Sequence, residues 1–432
     1  MNKQKAQERK LEPRLGLLEA TAISIGAIIG GGIFVVTGIA AKLAGSAFLV
    51  SIVIAAIIIS LTALSFSELA TAMPVEGGIY EFAYRMISPF AGFLVGWMWL
   101  LSNIFAGAAV SLGFAYYLNA MFPGLPSTWV AALISILFMA VNLIGIRESA
   151  LLNSILVSAK LIILTFFIAL GLFFVNVGRF APFNPASIGV FYGAAYFFFA
   201  YGGFARVTIV AEEIKDAKRI VPRAILLSIG ISTVFYLLVG SVSVGLLGAA
   251  RLGVTQSPLA DAIATTEISA AVYAISVGGL LATASVLLTS ILGVSRVAYA
   301  MGRRNDLPKA FSVLNSKFKT PYVSILVAAA VMIVLVLSVD FSGVVAMSTF
   351  SLLFYYILAN VSAFRLKKED TLYPRVVPVL GVATCSMLLI LIVFISPQAW
   401  IVGISALVIG AIYYFFKRKY SDEKTLKRRK HA

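Results

Sequence analysis

Two kinds of residue in this 432-residue chain could do chemistry. One is a lone lysine, Lys160, set in the run Ile155-Leu156-Val157-Ser158-Ala159-Lys160-Leu161-Ile162-Ile163. A charge inside such an apolar helix is costly, at least about 2.5–3.5 kcal/mol on insertion scales. The ammonium therefore has reason to give up its proton. Two roles follow: a proton carrier, or a fixed cation held by backbone carbonyls. The others are two glycine-interrupted runs, Gly26-Ala27-Ile28-Ile29-Gly30-Gly31-Gly32-Ile33-Phe34 and Phe199-Ala200-Tyr201-Gly202-Gly203-Phe204. Each Gly costs about 1 kcal/mol of helix propensity relative to Ala, so a cluster of them unwinds a helix. The half-helix that restarts presents free N–H groups and a positive dipole end, which suit a carboxylate. The half-helix that stops presents free carbonyls, which suit an ammonium. Together these demands describe a zwitterion, an α-amino acid. The plainer reading of either run alone is close helix packing through small residues.

What the chain lacks narrows the class. It has one cysteine, Cys385, and one histidine, His431. No disulfide framework within the chain, Cys/His metal site or Ser/His or Cys/His hydrolytic pair can be built from these. No G-x-x-x-x-G-K-[ST] occurs, and Gly30-Gly31-Gly32 has no strand before it and no Lys after it, so no nucleotide-driven machinery is expected. No cofactor is expected. An intramembrane enzyme would need acids, His or metal ligands gathered at one depth. A channel would need rings of polar or charged residues. The sequence offers neither, so the expectation is a carrier, not an enzyme.

The elements that must position these residues are membrane spans. The chain is 61% hydrophobic and 12% charged, against about a quarter charged in a soluble domain. A spanning helix takes roughly 20 apolar residues. That rule yields about twelve spans, at 15–40, 46–72, 88–119, 126–146, 151–176, 188–213, 223–248, 268–300, 321–339, 342–364, 375–396 and 399–417. The formal charge of +16 would suit nucleic acid, but 29 of the 34 basic residues fall on one side of these spans and only Lys42, Arg179 and Arg251 on the other. That asymmetry predicts a plasma-membrane protein with both termini cytoplasmic. Residues 1–14 and 418–432 then form cytoplasmic tails around one transporter domain, 15–417. Lys160 falls about 16 Å deep, close to the midplane of the roughly 30 Å hydrocarbon core. The two glycine breaks fall in spans one and six, equivalent places in two five-span halves. Such a pair is the strongest sequence pointer to a transporter site.

Four motifs then resemble the amino acid–polyamine–organocation (APC) superfamily of transporters. They are Ile25 to Phe34; Glu68-Leu69-Ala70 with Met73-Pro74-Val75-Glu76-Gly77-Gly78-Ile79-Tyr80; Phe198 to Phe204 with Ala211-Glu212-Glu213 and Val221-Pro222-Arg223-Ala224-Ile225; and Ser295-Arg296, Tyr299-Ala300-Met301 and Leu307-Pro308. The resemblance implies an all-α membrane protein with a leucine-transporter-like fold. Its two inverted five-helix repeats would cover about 15–176 and 188–364, with helices 1 and 6 broken and two extra helices at 375–417. It implies a substrate site at Ile28, Ile29, Gly30, Gly31, Gly32, Phe199, Ala200, Tyr201 and Gly202. The amides of Gly31 and Gly32 would face the carboxylate; the carbonyls of Ile28, Phe199, Ala200 and Gly202 would face the amino group; Phe199 would gate the site from outside. Proton-coupled members carry a Lys where Lys160 stands, and Ser285 matches the neighbouring position that could bond its amine. The sequence departs from the usual pattern in three places. Gly31 lacks the common hydroxyl, Ala205 replaces Asp, and Asp216-Ala217 replaces Asn-Pro.

The expected partners are an amino acid, protons and the bilayer, with no nucleic acid. A neutral amino acid is favoured, because spans one, three, six and eight offer no carboxylate beyond Glu19, Glu212 and Glu213. A polyamine or organocation carrier and an amino acid exchanger of the same fold remain alternatives. The loop from Asn119 to Pro126 has no cysteine, so no disulfide-linked subunit attaches there. Arg206 reads as solvated or paired with Glu212 or Glu213. Glu19 reads as a half-solvated acid, and Glu68 as a tie to cytoplasmic structure. Pro74 to Arg85 reads as a short re-entrant or interfacial element. Trp97, Trp99, Trp129 and Trp400 suit interfacial belts or lipid-facing packing.

Overall fold

The computed structural model describes residues 15–73, 78–145, 150–209 and 214–430. Seventeen α-helices make up the described chain, in the order α1 Leu17–Ile28, α2 Gly31–Ala44, α3 Phe48–Ala72, α4 Gly78–Met86, α5 Pro89–Met121, α6 Ser127–Ile144, α7 Ala150–Leu172, α8 Ile188–Tyr201, α9 Arg206–Ile209, α10 Ala217–Leu247, α11 Ala249–Leu252, α12 Pro258–Ala264, α13 Ser269–Arg303, α14 Tyr322–Ser338, α15 Phe341–Phe364, α16 Val376–Ile395 and α17 Pro397–Lys430. Ten stretches are long and apolar enough to cross a membrane, and α1 and α14 are shorter apolar helices. Within the described residues β structure amounts to an isolated bridge between Leu15 and Ile214. This is a multi-pass, all-helical membrane protein.

Local chemistry sets the helix ends. Ser88 caps α5, accepting from the Ala91 N–H at 3.1 Å, with Pro89 in the first position, where its missing N–H costs nothing. Asp340 caps α15, accepting from the N–H groups of Ser342 and Gly343. At the far end of α6, Gly145 takes φ 82°, the left-handed conformation that ends a helix and that a Cβ would strain.

Contacts between loops sort the basic residues by end. Arg304 pairs with Glu81 at 2.5 Å, and Arg365 donates to the Met86 carbonyl at 3.3 Å. The start of α5 and the ends of α13 and α15 therefore share one end of the bundle. At the opposite end Arg179 donates to the Gly245 carbonyl at 3.3 Å, and a Cβ on Gly253 would lie 2.9 Å from the Lys42 Cα. Of the expected elements at the first end, α4 accounts for Gly78 to Met86, while Pro74 to Gly77 lie outside the described residues.

Helices α1, α2, α5, α8, α10, α13 and α15 pack around the centre, and close approach there depends on small residues. A Cβ on Gly203 would lie 2.2 Å from the Ala27 carbonyl oxygen, and one on Gly32 would lie 2.8 Å from the Ala200 Cβ. The first-helix and sixth-span segments therefore touch backbone to backbone at their breaks.

Candidate functional site: the cavity between two broken helices

Helix α1 stops at Ile28 and α2 restarts at Gly31. Between them Ile29 leaves helical geometry at φ −78°, ψ 73°, and Gly30 is extended. Helix α8 stops at Tyr201, and a turn through Gly202 and Gly203 leads to α9 at Arg206. A cavity of about 170 Å³ lies where the breaks meet. Ile28, Gly30, Gly31 and Gly32 line it from the first break, and Phe199, Ala200 and Gly202 from the second. Helix α5 adds Trp99, Asn103 and Val110, and α15 adds Ser348, Leu352 and Tyr355.

Ile29 and Tyr201 do not reach this cavity. Helix α8 is regular to its end, and residues 199 and 201 project about 200° apart at 3.6 residues per turn. Phe199 faces the cavity, while the Tyr201 hydroxyl points away and donates to Thr233 Oγ1 at 2.9 Å. Ile29 is 1% exposed and packs in the core.

Each carbonyl expected to face an ammonium already accepts a protein hydrogen bond, and the Ile28 oxygen also accepts from the Gly30 N–H at 2.8 Å. The Tyr236 hydroxyl lies 2.8 Å from the Ile28 oxygen and 3.0 Å from the Ala200 oxygen. Tyr356 donates to the Gly202 oxygen at 3.0 Å, and the Gly202 N–H closes the turn onto Phe199 at 3.0 Å. A carbonyl oxygen has two lone pairs, so those of Phe199, Ala200 and Gly202 retain acceptor capacity, while that of Ile28 is met by Tyr236 and the Gly30 N–H. The first N–H groups of α2, on Gly31 and Gly32, have no partner within their own helix. A side chain at Gly31 would meet Thr283 Cγ2 at 2.9 Å and Val110 Cγ1 at 3.1 Å, so these two fill the space of the absent hydroxyl.

Lys160 is 1% exposed. From α7 its Nζ donates to Ser285 Oγ on α13 at 3.1 Å and reaches the Gly26 carbonyl of α1 at 3.5 Å. It thus touches the backbone just before the first break. Arg206 lies on the cavity wall and donates to Thr289 Oγ1 at 2.6 Å, one turn along α13 from Ser285. Glu212 and Glu213, its expected partners, lie outside the described residues.

The cavity is closed in one direction. The Tyr117 hydroxyl donates to the Phe34 carbonyl at 2.6 Å, their rings meet edge to face at 5.6 Å, and the Leu259 N–H of α12 donates to the same hydroxyl at 3.4 Å. Both rings are fully buried. In the other direction the cavity reaches Tyr80, Trp99, Arg206 and Val297, and Trp99, Ala205, Arg206 and Val297 are partly exposed.

A charged cluster stands at that open side. Glu81 holds Arg85 at 2.6 Å and Arg304 at 2.5 Å, and Arg304 lies over the rings of Tyr80 and Tyr84. Tyr80 donates to Asp306. Burial raises the Asp306 carboxyl above its ordinary value, a shift only partly opposed by the Tyr80 hydrogen bond and the charges of Lys417 and Arg304. Burial, and then Asp306 itself, raise the Tyr80 hydroxyl.

Sequence reasoning missed Tyr236, Tyr356 and Thr289, whose partners are remote in sequence. It also placed Trp99 in an interfacial belt or in lipid-facing packing, whereas the residue lines the cavity and its indole fits against Gly293, where a Cβ would lie 3.1 Å away. Trp129 is 66% exposed, while Trp97 and Trp400 donate to the Ala406 and Leu389 carbonyls. Glu19 accepts from the Gly16 N–H at the start of α1, and Glu68 accepts from the N–H groups of Leu372 and Tyr373 at 2.8 and 2.7 Å.

Among known proteins, the chain is 32% identical to an uncharacterized transporter of Mycobacterium tuberculosis, over 95% of this chain and 92% of that one. It is 30% identical to the branched-chain amino acid permease BcaP of Bacillus subtilis, over 96% and 95%. It is 27% identical to the methylthioribose transporter of Bacillus subtilis, over 96% of each. Residues 19–426 match the family described as amino acid permease, a family of transporters and not of enzymes. With a cavity built from two broken helices and a match along nearly its whole length, the chain belongs to the amino acid permease family of the APC superfamily.

Proposed function

We propose that this protein is a secondary active transporter that moves neutral L-amino acids across the cytoplasmic membrane by alternating access, coupled to protons through Lys160 and Ser285. The observation that carries the reading is the cavity itself. It pairs the free N–H groups of Gly31 and Gly32 with carbonyls of Phe199, Ala200 and Gly202, and no carboxylate stands among its described lining residues. The N–H groups suit the substrate carboxylate and the carbonyls suit its ammonium. Its volume of about 170 Å³ admits a small solute, below the roughly 300–1,000 Å³ of drug-sized pockets. A polycation would lack counter-charges there.

Counting α1 with α2, and α8 with α9, as single broken crossings makes twelve crossings. On that count α1–α7 and α8–α15 each contribute five, as inverted repeats, and α16 and α17 follow. The basic end of the bundle is cytoplasmic, with both termini on that side. The cavity is then open inward and closed outward beneath Phe34 and Tyr117. Phe199 gates the outward path. Protonated Lys160 ties α7 to α1 and α13, and its deprotonation releases α1. That the relative BcaP is a branched-chain amino acid permease supports a neutral substrate, while the methylthioribose transporter sets a different solute beside it.

The test begins with a thermal-shift screen of the twenty amino acids, methylthioribose and a polyamine on purified protein, since ligands of the folded state raise its melting point. Uptake into proteoliposomes with and without an imposed proton gradient follows. Stabilisation by neutral amino acids with gradient-driven accumulation is expected. Stabilisation by the polyamine alone would sink the reading.

A further inference from the structure

The loop that joins α13 to α14 carries charge that the cavity does not use. Over residues 307–339 the chain holds no acidic side chain, and Lys309, Lys317 and Lys319 lie in the first part of that stretch. All three lysines are exposed, and among the described residues no carboxylate pairs with any of them. Interleaved with them, Val313, Leu314 and Phe318 are each at least 40% exposed. The Lys317 ammonium lies over the Phe318 ring, 5.1 Å from its centre.

This surface is held from beneath. Ser324 donates to the Phe311 carbonyl at 3.3 Å, and Thr320 donates to the Leu143 carbonyl at the end of α6 at 2.9 Å. Between those ties the Asn315 side-chain oxygen accepts from the N–H groups of Lys317 and Phe318 at 2.9 and 3.1 Å. Its depth follows from the next helix. α14 has 17 residues, Tyr322–Ser338, which makes it about 26 Å long at 1.5 Å per residue. The hydrocarbon core is about 30 Å thick, and a short span draws its flanking residues into the headgroup region. We propose that residues 309–319 form a docking surface for anionic phospholipid, with the lysines on headgroup phosphates and Val313, Leu314 and Phe318 in the acyl boundary. Lysine stems lie along apolar surface while their ammonium ends reach the phosphate layer. Apolar side chains at that depth meet the bilayer, which a soluble acidic protein does not enter. Each lysine near an anionic membrane strengthens binding by about fivefold. A zwitterionic headgroup sets its own cation beside the phosphate, so the surface prefers lipid of net negative charge.

The experiment reconstitutes the full chain carrying Phe318→Trp into phosphatidylcholine vesicles and subtracts the emission of the wild type. Brominated phosphatidylglycerol and brominated phosphatidylcholine, each as a minor component, are compared as quenchers. The phosphatidylglycerol should quench the reporter at least about fivefold more effectively. Lys309→Gln, Lys317→Gln and Lys319→Gln together should bring that ratio close to one. A reporter that neither lipid quenches overturns the proposal, because the loop then stands clear of the bilayer. An unchanged ratio in the triple variant overturns it as well. Should Phe318→Trp not fold, melting points of the otherwise native chain in detergent give a second reading. Added phosphatidylglycerol should raise the melting point more than phosphatidylcholine does, and the three glutamines must shrink that difference. An equal difference in both proteins overturns the proposal. Glycerophosphoglycerol, the headgroup without its chains, should not reproduce the rise. If it does, the surface takes soluble anions and the lipid assignment falls.

Discussion

The hydroxyl of Tyr236 lies between the carbonyl oxygens of Ile28 and Ala200, 2.8 and 3.0 Å away, and so holds the ends of both interrupted helices from a third. The Ile28 oxygen also accepts from the Gly30 N–H at 2.8 Å, whereas the break leaves the Ala200 carbonyl to Tyr236, which is fully buried. Tyr236→Phe removes the donor and keeps the ring. A buried acceptor left unmet costs about 1–3 kcal/mol. The variant should melt earlier in a thermal unfolding assay and transport with a raised KM. An unchanged melting point and KM would mean that the hydroxyl does not hold the breaks in place.

Lys160 bridges α7 to α1 and α13 through Gly26 and Ser285. Lys160→Gln can still donate to both acceptors but cannot exchange a proton. Uptake by this variant should lose its response to an imposed pH gradient, while counterflow of substrate continues. Accumulation against a gradient with the wild-type pH dependence would exclude Lys160 as the coupling group.

Two glycines should respond in opposite directions to the same substitution. Gly203→Ala forces a methyl against the Ala27 backbone, 2.2 Å from its oxygen, where neither helix can yield without separating the breaks. A cost of about 1–3 kcal/mol or more is expected, with loss of uptake. Gly230→Ala adds a methyl with nothing within 4 Å on the outer face of α10. It should stabilise by about 0.5–1 kcal/mol through helix propensity. Melting points of the two variants, measured side by side in one detergent, check both signs.

Asp306 makes part of the stability pH-dependent. Its carboxyl is raised above the ordinary 3.8 by burial, so the fold favours its protonated form. The contribution is fully present below the unfolded value and is lost as pH rises through the raised folded value. Asp306→Asn stays neutral and can still accept from Tyr80. Its melting point should therefore fall less than that of the wild type as pH rises from the acid range toward neutrality. Parallel melting curves for the two proteins across that range would remove Asp306 as the cause.

The spans, the two breaks and the buried lysine were legible in the sequence for a local reason. An apolar run of about 20 residues has one stable setting, and a glycine cluster such as Gly30-Gly31-Gly32 or Gly202-Gly203 weakens a helix wherever it stands. Gly31 and Gly32 begin α2 as the pattern implied, and α8 ends at Tyr201. Helix periodicity could also have separated Phe199 from Tyr201, which share one apolar run but face opposite ways.

What the sequence by itself determined is therefore a membrane-spanning helical chain, the positions of its breaks and the presence of a mid-span cation. Tertiary structure decided who answers them. Tyr236 lies 208 residues from Ile28, and Tyr356 lies 154 from Gly202. No local pattern marks a tyrosine in an apolar span as the partner of a distant carbonyl. Lys160 meets Ser285 across 125 residues, and Arg206 meets Thr289 across 83. Such pairs form because backbone groups freed inside a bilayer must find donors within the protein, and packing alone chooses which side chains stand close enough.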